Sequence, residues 1–205
     1  MKSNNFFWVS FSDLMTSLFF VMMVLFVVTI GYLQFQKKAT EQQLKKIKEI
    51  QTAVQQLPDE YFSYQDNYKR FKLNKEIEFI KGSDVINVND ISYLKDVGNK
   101  IQQLVDSLYN NEKFKDFDIK YQIVIEGMAS KDNYKYNFEL SYKRALSLYR
   151  LWKANDIIFD PKICEIQIAG SGTDGVREYS GINEKKNQQF LIHIIPKIGK
   201  IDFNE

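Results

Sequence analysis

The stretch from Trp8 to Leu33, WVSFSDLMTSLFFVMMVLFVVTIGYL, carries one charged residue, Asp13, and it constrains the rest of the chain more than any other feature. As a helix rising about 1.5 Å per residue, its apolar part from Leu14 to Leu33 covers about 30 Å, the thickness of a bilayer core. The run exceeds the apolar segment of a secretory signal, and no small-x-small cleavage site follows Ile30, so the sequence predicts an uncleaved membrane anchor. Asp13 stands at the N-terminal edge of the apolar run. Two readings suit a carboxylate there: a helix N-cap accepting backbone N–H bonds, or a functional ionisable group, since an unpaired charge in lipid costs several kcal/mol.

The remaining sequence is polar, rich in Lys and Glu, with interspersed aromatics, as in a folded soluble domain. With 205 residues there is room for one ordinary domain and a tether, and the net charge of +2 lacks the basic bias of a nucleic-acid binder. The lone Cys164 excludes an intramolecular disulfide and a cysteine cluster; His193 has no metal-ligand neighbours and reads as an ordinary strand histidine. No nucleophile elbow or phosphate loop is present, and the Gly170–Gly175 segment GSGTDG reads as a flexible turn, so an enzyme is not expected. Lys37, Lys38, Lys45, Lys46 and Lys48 follow the apolar run, and by charge alone would hold the C-terminal part in the cytoplasm; large domains translocate largely regardless of charge.

After the anchor, QFQKKATEQQLKKIKEIQTAVQQLP has helix formers and no Gly, with Leu44, Ile47, Ile50, Val54 and Leu57 spaced by three and four. Pro58 ends it. The narrow stripe on a polar helix predicts pairing of two chains; the alternative is a single helix folded onto its own domain.

Beyond Pro58 the pattern predicts a strand within Phe71–Ile80 and a helix capped by Asp90 with Ile91, Leu94, Val97, Ile101, Leu104, Val105 and Leu108 at helical spacing. A strand from Asp118, a polar loop Ala129–Tyr134 and a helix on NFELSYKRALSLYRLWKAN follow, with Leu140, Ala145, Leu148 and Leu151 on one face. A strand Ile163–Ala169, a long loop and a last strand QQFLIHIIP complete an α+β domain: a mixed sheet of about four strands with helices on one face.

Two segments resemble one known arrangement. WVSFSDLMTSLFFVMMVLFV is similar to the transmembrane helix of MotB-type stator subunits, where a Trp and a hydroxyl-rich turn precede Asp-Leu-Met-Thr. IEGMASKDNYKYNFELSYKRALSLYRLW resembles the OmpA-type peptidoglycan-binding signature, IEG-H-T-D followed by YN-x-x-LS-x-x-RA, with Ile125, Glu126, Gly127, Tyr136, Asn137, Leu140, Ser141, Arg144 and Ala145 in matching places. The two occur in the order found in MotB and in the ZorB subunit of Zorya anti-phage systems. The chain departs from the signature where the family's ligand-binding aspartate aligns with Ser130 and its His-Thr pair with Met128-Ala129, Asp132 being the nearest substitute. The family's closing Asn-Arg-Arg is Asn187-Gln188-Gln189.

The resemblance implies a short cytoplasmic N-terminus at 1–10, a membrane helix at 11–33, a connector at 34–60 acting as a plug or coiled coil, and an OmpA-like periplasmic domain at 61–205. It implies a single-pass inner-membrane protein, a homodimer inside a pentamer of multi-span MotA- or ZorA-like subunits. Asp13 would carry the transported H⁺ or Na⁺, with Thr16 and Ser17 helping to solvate it, and no resident cofactor is expected. Peptidoglycan would meet Arg144, Asn137, Ser130 and Asp132, the guanidinium pairing with a cell-wall peptide carboxylate. The alternative function is a passive OmpA-like envelope-binding protein without ion flow.

Overall fold

A computed structural model describes residues 4–115 and 119–199 and divides the chain into two compact units, 1–49 and 50–205. One unbroken helix, α1, runs from Asn4 to Val54. Among the described residues it alone is long and apolar enough to cross a membrane, with a mean hydropathy of 2.5 over its most apolar window and none of that window buried. Its large side chains from Phe7 to Leu33 are all exposed, the state expected of a surface made for lipid rather than for a protein core.

The last turn of α1 behaves differently. Ile50, Val54 and Leu57 are buried in the core of the second unit, whereas Leu44 is exposed. The stripe expected to join two chains is therefore divided, and its C-terminal half is covered by the chain's own domain. Pro58 stops the helix as expected: Gln55 and Gln56 close on Thr52 and Ala53, and the Pro58 carbonyl accepts from Tyr61 and Phe62.

The sheet has five strands rather than about four, β1 (Phe62–Gln65), β2 (Arg70–Leu73), β3 (Ile119–Gly127), β4 (Cys164–Gly170) and β5 (Phe190–Ile198), in the order β1-β2-β5-β3-β4. The strand from Asp118 is seen from Ile119 onward, Asp118 lying outside the described residues. The additional strand is β1, joined to β2 by a tight turn at Asp66–Tyr68 whose left-handed position is taken by Lys69 (φ 51°) rather than by the Gly or Asn that would mark it in sequence. The segment expected to be the first strand is only partly one. Ile77 and Phe79 turn inward and Glu76 and Glu78 outward, but pairing ends at Leu73 and residues 76–80 join no ladder. β3 and β4 are parallel and all other pairings antiparallel.

Two helices, α2 (Val88–Tyr109) and α3 (Asn137–Ala154), complete the domain. Asn87, not Asp90, caps α2, its side chain accepting from the Asn89 N–H; Asp90 sits within the first turn and is paired with Lys75 at 2.7 Å. α3 bridges the parallel pair as a crossover and lies so close that Gly127 and Gly170, facing each other across β3 and β4, have no room for a side chain. A Cβ at Gly127 would strike the Ser141 carbonyl, and one at Gly170 would lie 2.5 Å from the Tyr142 nitrogen. Further along α3 the buried residue is Trp152 rather than Leu151; its indole donates to the Leu94 carbonyl at 2.8 Å, tying α3 to α2.

Candidate functional site

The loop after β3 and the start of α3 form one wall of a cleft of about 580 Å³; residues 78–82 and the segment before β5 form the others. Ser130, Asp132, Asn137 and Arg144, singled out from one signature-like segment, all line it. Helical spacing explains part of this convergence, since Asn137, Leu140 and Arg144 repeat at three and four along one face of α3.

Arg144 is the chemically unusual member. It is 1% exposed, its Nε donates to the Ser83 carbonyl at 3.1 Å, and its guanidinium lies 4.4 Å from the centre of the Phe79 ring. Its Nη1 has no hydrogen-bond partner although it is buried, and among the described residues no carboxylate lies within ion-pair distance. Burial pushes the guanidinium down to about 10, opposed by the more distant charges of Asp132 and Asp84, so it remains cationic at neutral pH. Within the fold its charge is met by a carbonyl dipole and an aromatic face and not by a direct counter-ion among the described residues.

Asp132 is held ready beside it. The Asn137 amide donates to its carboxylate at 2.9 Å and the Tyr134 N–H at 3.0 Å; the Asn137 bond first, then the Tyr134 N–H, the Ser130 hydroxyl and the Lys81 charge hold the carboxyl below its usual range despite some desolvation. Ser130, where the signature has its aspartate, accepts from the Gln188 amide at 2.7 Å. Asn187, one residue before Gln188, is fully buried and closes the preceding loop by bonding the backbone of Glu178, Tyr179 and Glu184. Sequence reading missed Glu184, which accepts from the Lys131 N–H at 2.8 Å and pairs with Arg177, fixing both loops at the cleft rim; its position within a featureless polar run gave no signal.

The opposite face of the sheet carries a second polar cluster. Glu126 accepts from His193 at 2.7 Å and from Ser171, with Arg70 3.7 Å away. Burial pushes its carboxyl up, but these partners together outweigh that and hold it below its ordinary value. His193 is thus a strand residue tied to a carboxylate, and Ser171 shows why the GSGTDG turn has a fixed place.

In the first unit, Asp13 lies about two and a half turns into α1, which starts at Asn4, so no free first-turn amides are left for it to cap. Asp13, Thr16 and Ser17 share a face at spacings of three and four. The Thr16 and Ser17 hydroxyls donate to the carbonyls of Ser12 and Leu14 at 2.7 and 2.9 Å, leaving their oxygen lone pairs available to a cation.

No family model matches the chain, and no curated protein sequence matches it. Solved structures similar to it include the periplasmic domain of MotB, at 15% identity and a TM-score of 0.45 over 69% of each chain. A MotB periplasmic domain from Helicobacter pylori gives 14% and 0.44, covering 68% of this chain and 88% of that one. An outer membrane protein from Borrelia burgdorferi B31 gives 19% and 0.42, covering 67% and 99%. At such scores the functional reading rests on the residues and the geometry of the cleft.

Proposed function

We propose that the chain is the MotB-like subunit of an ion-driven motor of the bacterial inner membrane, held to the cell wall by its globular domain. The observation that carries this reading is Asp13, the one charge between Trp8 and Leu33, set inside a regular helix rather than at its cap. A carboxylate so placed is stable only where partner helices or water receive it. In this reading two copies stand inside a ring of multi-span subunits, and H⁺ or Na⁺ binds Asp13 with help from the lone pairs of Thr16 and Ser17. Neutralising the carboxylate releases it from polar contacts, and losing the ion restores them. Each charge moved across the full membrane supplies about 2.3 kcal/mol per 100 mV.

Arg144 and Asp132 support the anchoring half. A cell-wall stem peptide offers carboxylates to the buried guanidinium and ammonium groups to Asp132, the complement of the free charges in the cleft. The domain then lies in the periplasm, and the output we favour is anti-phage defence of the Zorya type. The alternative is a passive envelope-binding protein without ion flow.

The test is to co-express the full chain with the neighbouring multi-span membrane gene, purify the complex, and compare ion flux and phage resistance with Asp13→Asn. Intact assembly with flux and resistance abolished supports the motor. A variant that behaves as wild type, or a chain that retains no partner, leaves the passive anchor as the account.

A further inference from the structure

The cleft lies past Gly127, the C-terminal end of β3; a second hollow, of about 310 Å³, lies at the strand's other end, about 20 Å away at about 3.3 Å per residue. It shares no residue with the cleft. Leu108, Phe114 and Ile119 give it apolar walls, and Lys115 and Lys162 border it with exposed side chains. Tyr121 lines it as well, 1% exposed, with a buried hydroxyl that has no hydrogen-bond partner. Burial pushes this phenol up to about 12, so at neutral pH it keeps its proton and remains a donor. The cleft is lined by the carboxylates of Glu78, Asp132 and Glu184, whereas the described lining of this hollow includes none.

Lys115 is paired with Glu112, but Lys162 belongs to no ion pair among the described residues. One uncompensated ammonium and one neutral O–H donor match a group with a single negative charge and two acceptor oxygens. A phosphate is matched less well, because it is held best by free backbone amides, and those of Asn110, Asn111, Phe114 and Lys115 are spent on carbonyls of their own turns. The apolar walls suit a hydrocarbon body attached to the charged group. We propose that this hollow binds a small organic carboxylate, its oxygens taken by the Tyr121 hydroxyl and the Lys162 ammonium and its apolar part set against Leu108, Phe114 and Ile119.

The experiment titrates the full chain in detergent with benzoate, with its neutral counterpart benzamide and with inorganic phosphate, for wild type, Tyr121→Phe and Lys162→Gln. Wild type is expected to bind benzoate, more tightly than phosphate, and to leave benzamide unbound. Each substitution weakens benzoate about tenfold, the worth of one bond to a charged group. The thermal midpoint of Tyr121→Phe without ligand stays level or rises, because a buried hydroxyl lacking a partner is gone. A wild type that binds no benzoate, or that binds benzamide or phosphate as tightly, overturns the proposal, as do two variants that bind benzoate unchanged. Should Tyr121→Phe melt far below wild type, the surface change Lys162→Gln decides: weaker benzoate binding sustains the site, and unchanged binding overturns it.

Discussion

Arg70 and Arg144 are both almost fully buried, and each keeps one guanidinium nitrogen without a partner, yet their surroundings differ in kind. Arg70, on the outer face of the sheet, has the Glu126 carboxylate at 3.7 Å, the Gln65 side chain at 2.8 Å and the Tyr68 ring beneath it. Arg144 has a backbone carbonyl, a phenyl face and an open cleft. The first charge has a carboxylate within the fold; the second has none at ion-pair distance among the described residues. Two arginines equally buried thus differ in their electrostatic surroundings, and only the first has a counter-charge at contact distance.

The comparison breaks most directly at Arg144. Arg144→Met is expected to weaken stem-peptide binding by about 10- to 100-fold, the worth of a charge-assisted bond, while the thermal midpoint stays level or rises because a desolvated charge is gone. Calorimetric titration and a melt on one preparation check both; a large drop in midpoint with unchanged affinity would make Arg144 structural. Glu126→Gln should do the reverse. Leaving Arg70 buried without a counter-charge costs about 2–3 kcal/mol in urea unfolding, with peptide affinity unchanged.

Acid sharpens the same contrast. A carboxyl held below its unfolded value contributes stability that is complete above the ordinary carboxylate range and is lost as pH falls through the folded value. Glu126 meets that condition. Unfolding free energy should thus decline below about pH 4.5, and Glu126→Gln should flatten that acid limb, as equilibrium unfolding at stepped pH will show. The smallest effect is read at Cys164, buried on β4 and pushed up to about 12 by that burial, which leaves little thiolate at neutral pH. Alkylation should be slow in wild type and in Arg144→Met and measurably faster in Glu126→Gln, where the sheet opens more often.

What the sequence made legible follows from how local each signal is. The periodicities of α2 and α3 are short-range patterns, and their inward residues stand where the spacing placed them, except that Ile91 and Leu151 are only partly buried and Trp152 takes the fully buried place beside Leu151. The β1–β2 hairpin was hidden because a lysine occupies its left-handed turn. Residues 76–80 alternate like a strand but have no neighbour to pair with, something alternation cannot reveal. In the cleft, Ser130, Asp132, Asn137 and Arg144 were readable from a motif. The missing counter-ion of Arg144 and the rim contacts of Glu184 arise from loops remote in sequence and needed coordinates.

The strand order also bears on how the domain is made. β5, the last strand among the described residues, lies third in the sheet, and its partners β2 and β3 do not pair with each other. Until residues 190–198 emerge during synthesis, the hairpin and the parallel pair are separate pieces with exposed hydrogen-bonding edges, open to wrong pairing. A truncation before residue 190 therefore removes the joint of the sheet and not its margin.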